Sequence, residues 1–169
     1  MALNIVTLGS KPGMESVLPA DIVATTEELL LASGVVGPRT LRLYKSRRML
    51  SIYEAFDWML PGQVEAFAHR KAICGRQARE GIKNGARQVL VLGAGFDTLG
   101  WRLTPEFPDV NFFEIDHPAT HHLKAKGIDA MGRRENLFLI GEGNGQRQLK
   151  DVLEINPFWD PSGHTVIMA

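Results

Sequence analysis

The stretch QVLVLGAGFDTLGWRL, Gln88–Leu103, decides how the rest of the chain is read. Val89–Leu92 is a short, unbroken apolar run, the pattern of a strand buried on both faces of a parallel sheet. Gly93 and Gly95 follow, and glycines at these points let the backbone turn sharply and approach a ligand with no side chain in between. An Asp-Thr and a second apolar patch come next, where the following helix would start. Strand, glycine turn and helix together make the start of a nucleotide-binding unit.

The turn itself narrows the nucleotide. A dinucleotide fingerprint needs G-x-G-x-x-G, but its third glycine is replaced here by Thr98, and Asp97 stands where a pyrophosphate would meet the next helix. A carboxylate there repels a diphosphate. It has no conflict with a cationic aminoacyl group, and S-adenosylmethionine carries both an ammonium and a sulfonium. The next apolar run ends Phe113-Glu114-Ile115-Asp116, which sets an acid at the carboxyl edge of the sheet about 20 residues beyond the glycines, where both hydroxyls of a ribose can be accepted. Glu114 and Asp116 share a strand face, and Asp116, nearer the edge, is the stronger candidate. Asp116 can also serve as the N-cap of a helix that starts at Pro118.

Outward from this unit the hydrophobic period differs on the two sides. Upstream it is helical: Ala20–Ala32 after Pro19, a segment starting at a Ser51/Glu54 capping box and running to Met59, and Gln63–Ile82 with Phe67, Ala68, Ala72, Ile73 and Ala78 on its apolar side. Downstream, Val110–Ile115, Leu137–Ile140 and Thr165–Ala169 read as further buried strands, separated by helices at His117–Ala125 and Leu149–Leu153. Successive strand–crossover–strand units predict an α/β fold with an open parallel sheet. The division expected is a helical N-terminal cap over residues 1–84 and a Rossmann-like half-sheet over 85–169, together one structural unit.

The 169 residues suit one domain, and 19 basic residues balance 19 acidic ones, so no long-range field favours nucleic acid or an acidic membrane surface. Cys74 is the one cysteine, which excludes an internal disulfide and a cysteine-based metal site. No apolar run approaches the length of a membrane span and residues 1–10 lack a signal-peptide pattern, so a cytoplasmic protein is expected. His117 and His121 are four apart but find no third ligand at a motif spacing, and no metal is expected. Trp58, Trp101 and Trp159 are read as core aromatics. No nucleophile stands beside a base, which suits methyl transfer by in-line attack, a reaction governed by proximity and orientation.

QVLVLGAGFDTLGWRL followed by FFEIDHPAT resembles the leucine carboxyl methyltransferase family, with the similarity running from about Leu50 to Ala169. The resemblance implies a class I methyltransferase fold and S-adenosylmethionine as cofactor. Residue by residue, it implies that Gly93, with Gly95, admits the methionyl moiety, that Asp116 holds the ribose, and that Arg70 in AFAHRK pairs with the cofactor carboxylate. A guanidinium suits that partner because it offers two parallel donors. Two positions depart from the family pattern. Gly75 stands where an Asp is common, and Gly143-Asn144 replaces an Asp-Leu pair beside the adenine. Asn144 can still bond an adenine edge, although three glycines in Gly141–Gly145 predict a mobile loop.

The family pattern continues past its fourth strand with E-G-x-x-x-Y, whereas this sequence ends at Ala169. The expectation is therefore a truncated sheet with an apolar fourth-strand edge open to self-association, and a substrate half that is missing. The activity expected is S-adenosylmethionine-dependent methylation of a carboxylate or other oxygen on an unidentified acceptor, with no catalytic residue assigned. The alternatives are a non-catalytic cofactor-binding or interaction module, and an NAD(P)-binding oxidoreductase.

Overall fold

The computed structural model describes residues 2–59, 61–143 and 147–169, with Val64 described by its backbone alone. Four strands, β1 (Gln88–Leu92), β2 (Asn111–Asp116), β3 (Leu137–Gly141) and β4 (Thr165–Met168), pair in parallel in the order β3-β2-β1-β4. This is the Rossmann-like sheet that the sequence predicts. The strand order reverses between β1 and β4, and in open α/β sheets ligands bind at the carboxyl ends of the strands beside such a reversal.

Consecutive residues of β2 show why the strands read as unbroken apolar runs. Phe112 and Phe113 are both fully buried, on opposite faces. Phe112 joins Val89, Val91 and Leu103 on one face. Phe113 joins Leu90 and Ile115 on the other, under Val152 and Leu153 of a short helix, α8 (Leu149–Glu154). Phe113 also stacks on Phe138 at 5.1 Å and meets Trp159 edge-on at 5.2 Å. Each buried phenylalanine contributes about 1.5–3 kcal/mol through removal from water, so both faces are needed.

The helices before the sheet are α1 (Ala2–Leu8), α2 (Ala20–Ala32), α3 (Pro38–Tyr44), α4 (Arg47–Met59) and α5 (Gln63–Lys83). Neither α1 nor α3 is expected from the sequence, because each has only 7 residues, too few to display a period. Tertiary burial makes them: Ile5 and Leu8 pack with Leu18, Ile22 and Ala68, and Val6 packs with Leu30, Val36 and Leu41. Pro19 caps α2 from outside, in an extended conformation, and so precedes the first helical residue.

α4 begins before the Ser51/Glu54 capping box, which does not form. The Ser51 hydroxyl instead donates back to the Arg47 carbonyl at 3.1 Å, and the Ser46 hydroxyl accepts from the Met49 amide at 3.3 Å. None of the described α4 residues is buried, and Trp58, expected in the core, is 86 % exposed because its helix lies on the outside.

α5 packs through small residues. Ala68, Gly75 and Ala78 are buried, and a Cβ on Gly81 would collide with Val166 of β4. Ile73 sits off this line and is exposed. After β1 come α6 (Leu99–Leu103) and, after β2, α7 (Pro118–Met131). The sequence reading ends α7 at Ala125, ahead of Gly127. That glycine does not break the helix: it lets α2 approach so closely that an added Cβ would lie 3.1 Å from the Leu29 carbonyl oxygen. No helix among the described residues is long and apolar enough to cross a membrane.

Candidate functional site

The turn between β1 and α6 is built by two residues that only glycine serves well. Gly93 and Gly95 have φ of +62° and +52°, the left-handed region that costs other L-residues about 1–2 kcal/mol. A Cβ added at Gly93 would meet nothing within 4 Å, so its freedom is spent on backbone shape and the space beside it stays open. The Ala94 amide donates to the Ile115 carbonyl at 3.2 Å and the Asp97 amide to the Ala94 carbonyl at 2.9 Å, which close the turn and tie it to β2.

That open space is a cavity of about 260 Å³ at the carboxyl ends of β1 and β4, the point where the strand order reverses. Its floor is Leu92, Gly93 and Gly95, and Arg70, Lys71 and Cys74 of α5 line it from one side. Ala2 and Ile5 of α1 and Ile22 of α2 line it as well. Arg70 is exposed, and its Nη2 donates to the Ala169 carbonyl, with no second acceptor for the guanidinium among the described residues. Its other N–H donors find no acceptor among the described residues.

Asp116 does not line the cavity; it stands beyond Gly95. Its Oδ2 accepts from the Gly95 amide at 2.5 Å and its Oδ1 from the His117 amide at 2.6 Å. A carboxylate has about four acceptor positions, so two backbone bonds leave room for two more donors. The N-cap of α7 is His117, whose Nδ1 accepts from the Ala119 amide at 3.2 Å; Asp116 does not take that role. Glu114, the weaker ribose candidate, is buried against Gly100 of α6 and Lys124 of α7. It is buried at 2.5 Å from Lys124, and burial pushes its carboxyl up from the usual range against the pull of that lysine. Glu114 and Lys124 thus form a buried ion pair beneath the sheet edge.

The sequence profile of the leucine carboxyl methyltransferase family matches residues 27–149. The chain belongs to this family. The match begins earlier than the resemblance read from the sequence, within α2, and ends in the first residue of α8. A protein of Bacillus subtilis (strain 168), named YktD and assigned provisionally to the S-adenosyl-L-methionine-dependent methyltransferases, is 38% identical over 55 residues. That stretch is 32% of this chain and 18% of the Bacillus protein.

The structure also corrects how Asp97 acts. From sequence it is a free carboxylate that repels a diphosphate. In the fold its Oδ2 is ion-paired with Lys71, and its Oδ1 accepts from the Leu99 amide at 3.0 Å, so both oxygens are engaged within the protein. Burial alone would raise its carboxyl, but Lys71, with Lys124 and the Leu99 amide, outweighs burial and holds it below the usual carboxylate range. Discrimination against a diphosphate therefore cannot rest on this charge.

Two family departures are clarified. Gly75 is buried, and its carbonyl accepts from Arg79 at 3.4 Å, with Leu99 of α6 beside its Cα. The loop after β3 is packed where it is described: a Cβ on Gly141 would lie 3.0 Å from the His121 ring and one on Gly143 would lie 2.9 Å from Pro118. At these two positions the absence of a Cβ allows close approach to the start of α7. Asn144 lies outside the described residues. Among the described residues no group of three or more His, Cys, Asp or Glu side chains could hold a metal ion.

Sequence reasoning missed Lys71 and the α1 residues of the cavity. Lys71 reads as part of a solvated polar helix face, and only the approach of α5 to the β1–α6 turn brings it onto Asp97. For α1, the apolar run Ala2–Leu8 was the available signal.

Proposed function

We propose that this chain is the cofactor-binding part of an S-adenosylmethionine-dependent methyltransferase, with an oxygen acceptor, a carboxylate, as its substrate class. The observation that carries the reading is one arrangement: a guanidinium on α5, two left-handed glycines opening on the cavity, and a carboxylate latched to the second of them. The residues fit the cofactor. Gly93 leaves a space that any Cβ would enter, Arg70 presents unengaged donors, and Asp116 retains acceptor capacity at the strand edge.

Arg70 would pair with the α-carboxylate, Gly93 and Gly95 would admit the methionyl chain along the backbone, and Asp116 would accept the ribose hydroxyls. The bound cofactor supplies an electrophilic methyl on a sulfonium. The task left to the protein is to hold that end in place and exclude water, and the apolar wall from Ile5 and Ile22 serves the second need. The carboxylate acceptor is supported by the family description and by nothing in the cavity itself.

Calorimetric titration with S-adenosylhomocysteine, S-adenosylmethionine and NAD tests the cofactor. Micromolar or tighter binding of the two adenosyl ligands is expected, and binding of NAD in their place overturns the reading. For the acceptor, label transferred from methyl-tritiated S-adenosylmethionine to a carboxylate is released as volatile methanol by mild base. Base-stable label would refute a methyl ester.

A second reading, association with another chain, draws support from the sheet edge. Among the described residues β4 pairs with β1 alone, and its Ile167 is 62% exposed. Self-association through that edge predicts a sedimentation coefficient that rises with concentration and is lowered by Ile167→Lys.

A further inference from the structure

Arg70 and Lys71 are consecutive on α5; Arg70 donates to the Ala169 carbonyl and keeps further N–H donors, whereas the charge of Lys71 is committed to Asp97. Lys71 is ion-paired with Asp97, and the same carboxylate caps the start of α6 by accepting from the Leu99 amide at 3.0 Å. One side chain therefore joins three pieces of backbone: the helix that carries Arg70, the turn that carries Gly93 and Gly95, and the first turn of α6. The charge of Asp97 is already balanced by Lys71. Both partners line the cavity and both are largely buried, with side-chain exposures of 21% for Lys71 and 15% for Asp97.

We infer that Lys71 is a positioning residue of the cofactor site, which through Asp97 sets the separation between the Arg70 guanidinium and the glycine turn. The inference rests on the cofactor reading above. The aminoacyl end of the ligand must reach Arg70 while its chain passes the turn, so a displacement of either wall breaks one contact to keep the other. The adenosine end is held beyond Gly95 by Asp116, on the other side of the latch, and does not depend on this spacing. The strut therefore acts selectively on ligands that have an aminoacyl end.

The selectivity gives the test. S-adenosylhomocysteine has the aminoacyl end and 5′-methylthioadenosine lacks it, so their dissociation constants are measured for the wild type, Lys71→Met, Asp97→Asn and the double variant. Positioning predicts that each single variant weakens S-adenosylhomocysteine on the order of tenfold while 5′-methylthioadenosine changes by less than about threefold. The double variant should be no worse than either single one, because the same strut is cut. Lys71→Arg, which keeps the ion pair, should stay near wild type.

Two rival roles give different patterns. If Lys71 bound the ligand carboxylate itself, Asp97→Asn would free it and tighten S-adenosylhomocysteine. If Asp97 bound the ligand ammonium, Lys71→Met would do the same. Either tightening overturns the inference, as does equal loss of both ligands in the single variants, which marks a general disruption of the fold. A wild type that binds neither nucleoside overturns the cofactor reading, and this inference with it. A wild type that binds both, with unaltered variants, overturns this inference alone.

Discussion

Two glycine-bearing loops leave the carboxyl edge of the same sheet, and their glycines do different things. In the β1–α6 turn, Gly93 and Gly95 adopt left-handed backbone, and the position of a Cβ on Gly93 is empty space. In the loop after β3, Gly141 and Gly143 lie outside the left-handed range, and the position of their Cβ is filled by His121, His117 and Pro118 of the α7 start. The first pair shapes the chain and leaves a cavity; the second removes a cavity by letting two elements touch. A count of glycines describes both loops alike, and only the contacts separate an opening from a seam.

Asp116 gives the sharpest way to break this contrast, because it serves the open turn through the Gly95 amide and borders the packed loop, with its carbonyl accepting from the Glu142 amide at 2.9 Å. Asp116→Ala removes a charged acceptor of two backbone amides as well as the proposed ribose partner. S-adenosylhomocysteine affinity should fall by about 2–4 kcal/mol, roughly 30- to 1,000-fold, measured by calorimetry. An unchanged affinity would end its role at the site.

Gly93→Ala comes next. A left-handed alanine costs about 1–2 kcal/mol in melting stability, and its methyl also enters the cavity, so ligand binding should suffer more than folding. Gly141→Ala should show the reverse: a loss of about 1–2 kcal/mol in urea denaturation from overpacking on the His121 ring, recovered in large part by His121→Ala in the same chain. If Gly141→Ala alone were neutral, the loop would be an opening after all.

The smallest effect concerns pH. Asp97 has its carboxyl held low in the folded chain, so the folded state releases this proton more readily than the unfolded one. Its contribution to stability is fully present above the unfolded value of about 3.9 and is lost as pH falls through the lower folded value. Acid unfolding followed by circular dichroism should therefore begin at higher pH in Lys71→Met than in the wild type.

Much of the sheet was legible before any coordinates. The runs at Val89 and Val110 become the central strands β1 and β2, covered on both faces and so without a polar side to interrupt their pattern, whereas those at Leu137 and Thr165, also read as buried strands, lie at the two sides of the sheet and are only partly buried. The shape of the turn was legible where it depends on a residue's own backbone or edge position, as with the left-handed Gly93 and Gly95 and Asp116 at the end of β2. The site was illegible where a role depends on a partner far along the chain. Lys71 meets Asp97 across 26 residues, and Ile5 reaches the cavity only because short α1 docks against α2 and α5. The capping box at Ser51 failed for a related reason: a local motif was outweighed by Ser46, which starts the helix a turn earlier.

What the sequence by itself determined is the order of elements, the glycine turn and the acid two residues past Glu114, since backbone preference and burial period are local and add up over a few residues. The tertiary structure alone decided which charges are spent and which are free. Asp97 and Glu114 look like open carboxylates in the chain, and each is taken by a lysine in the fold, because a buried charge must find a counter-charge and that partner is set by how helices dock. Asp116, bonded only to backbone amides, has no lysine partner and keeps acceptor capacity at the strand edge.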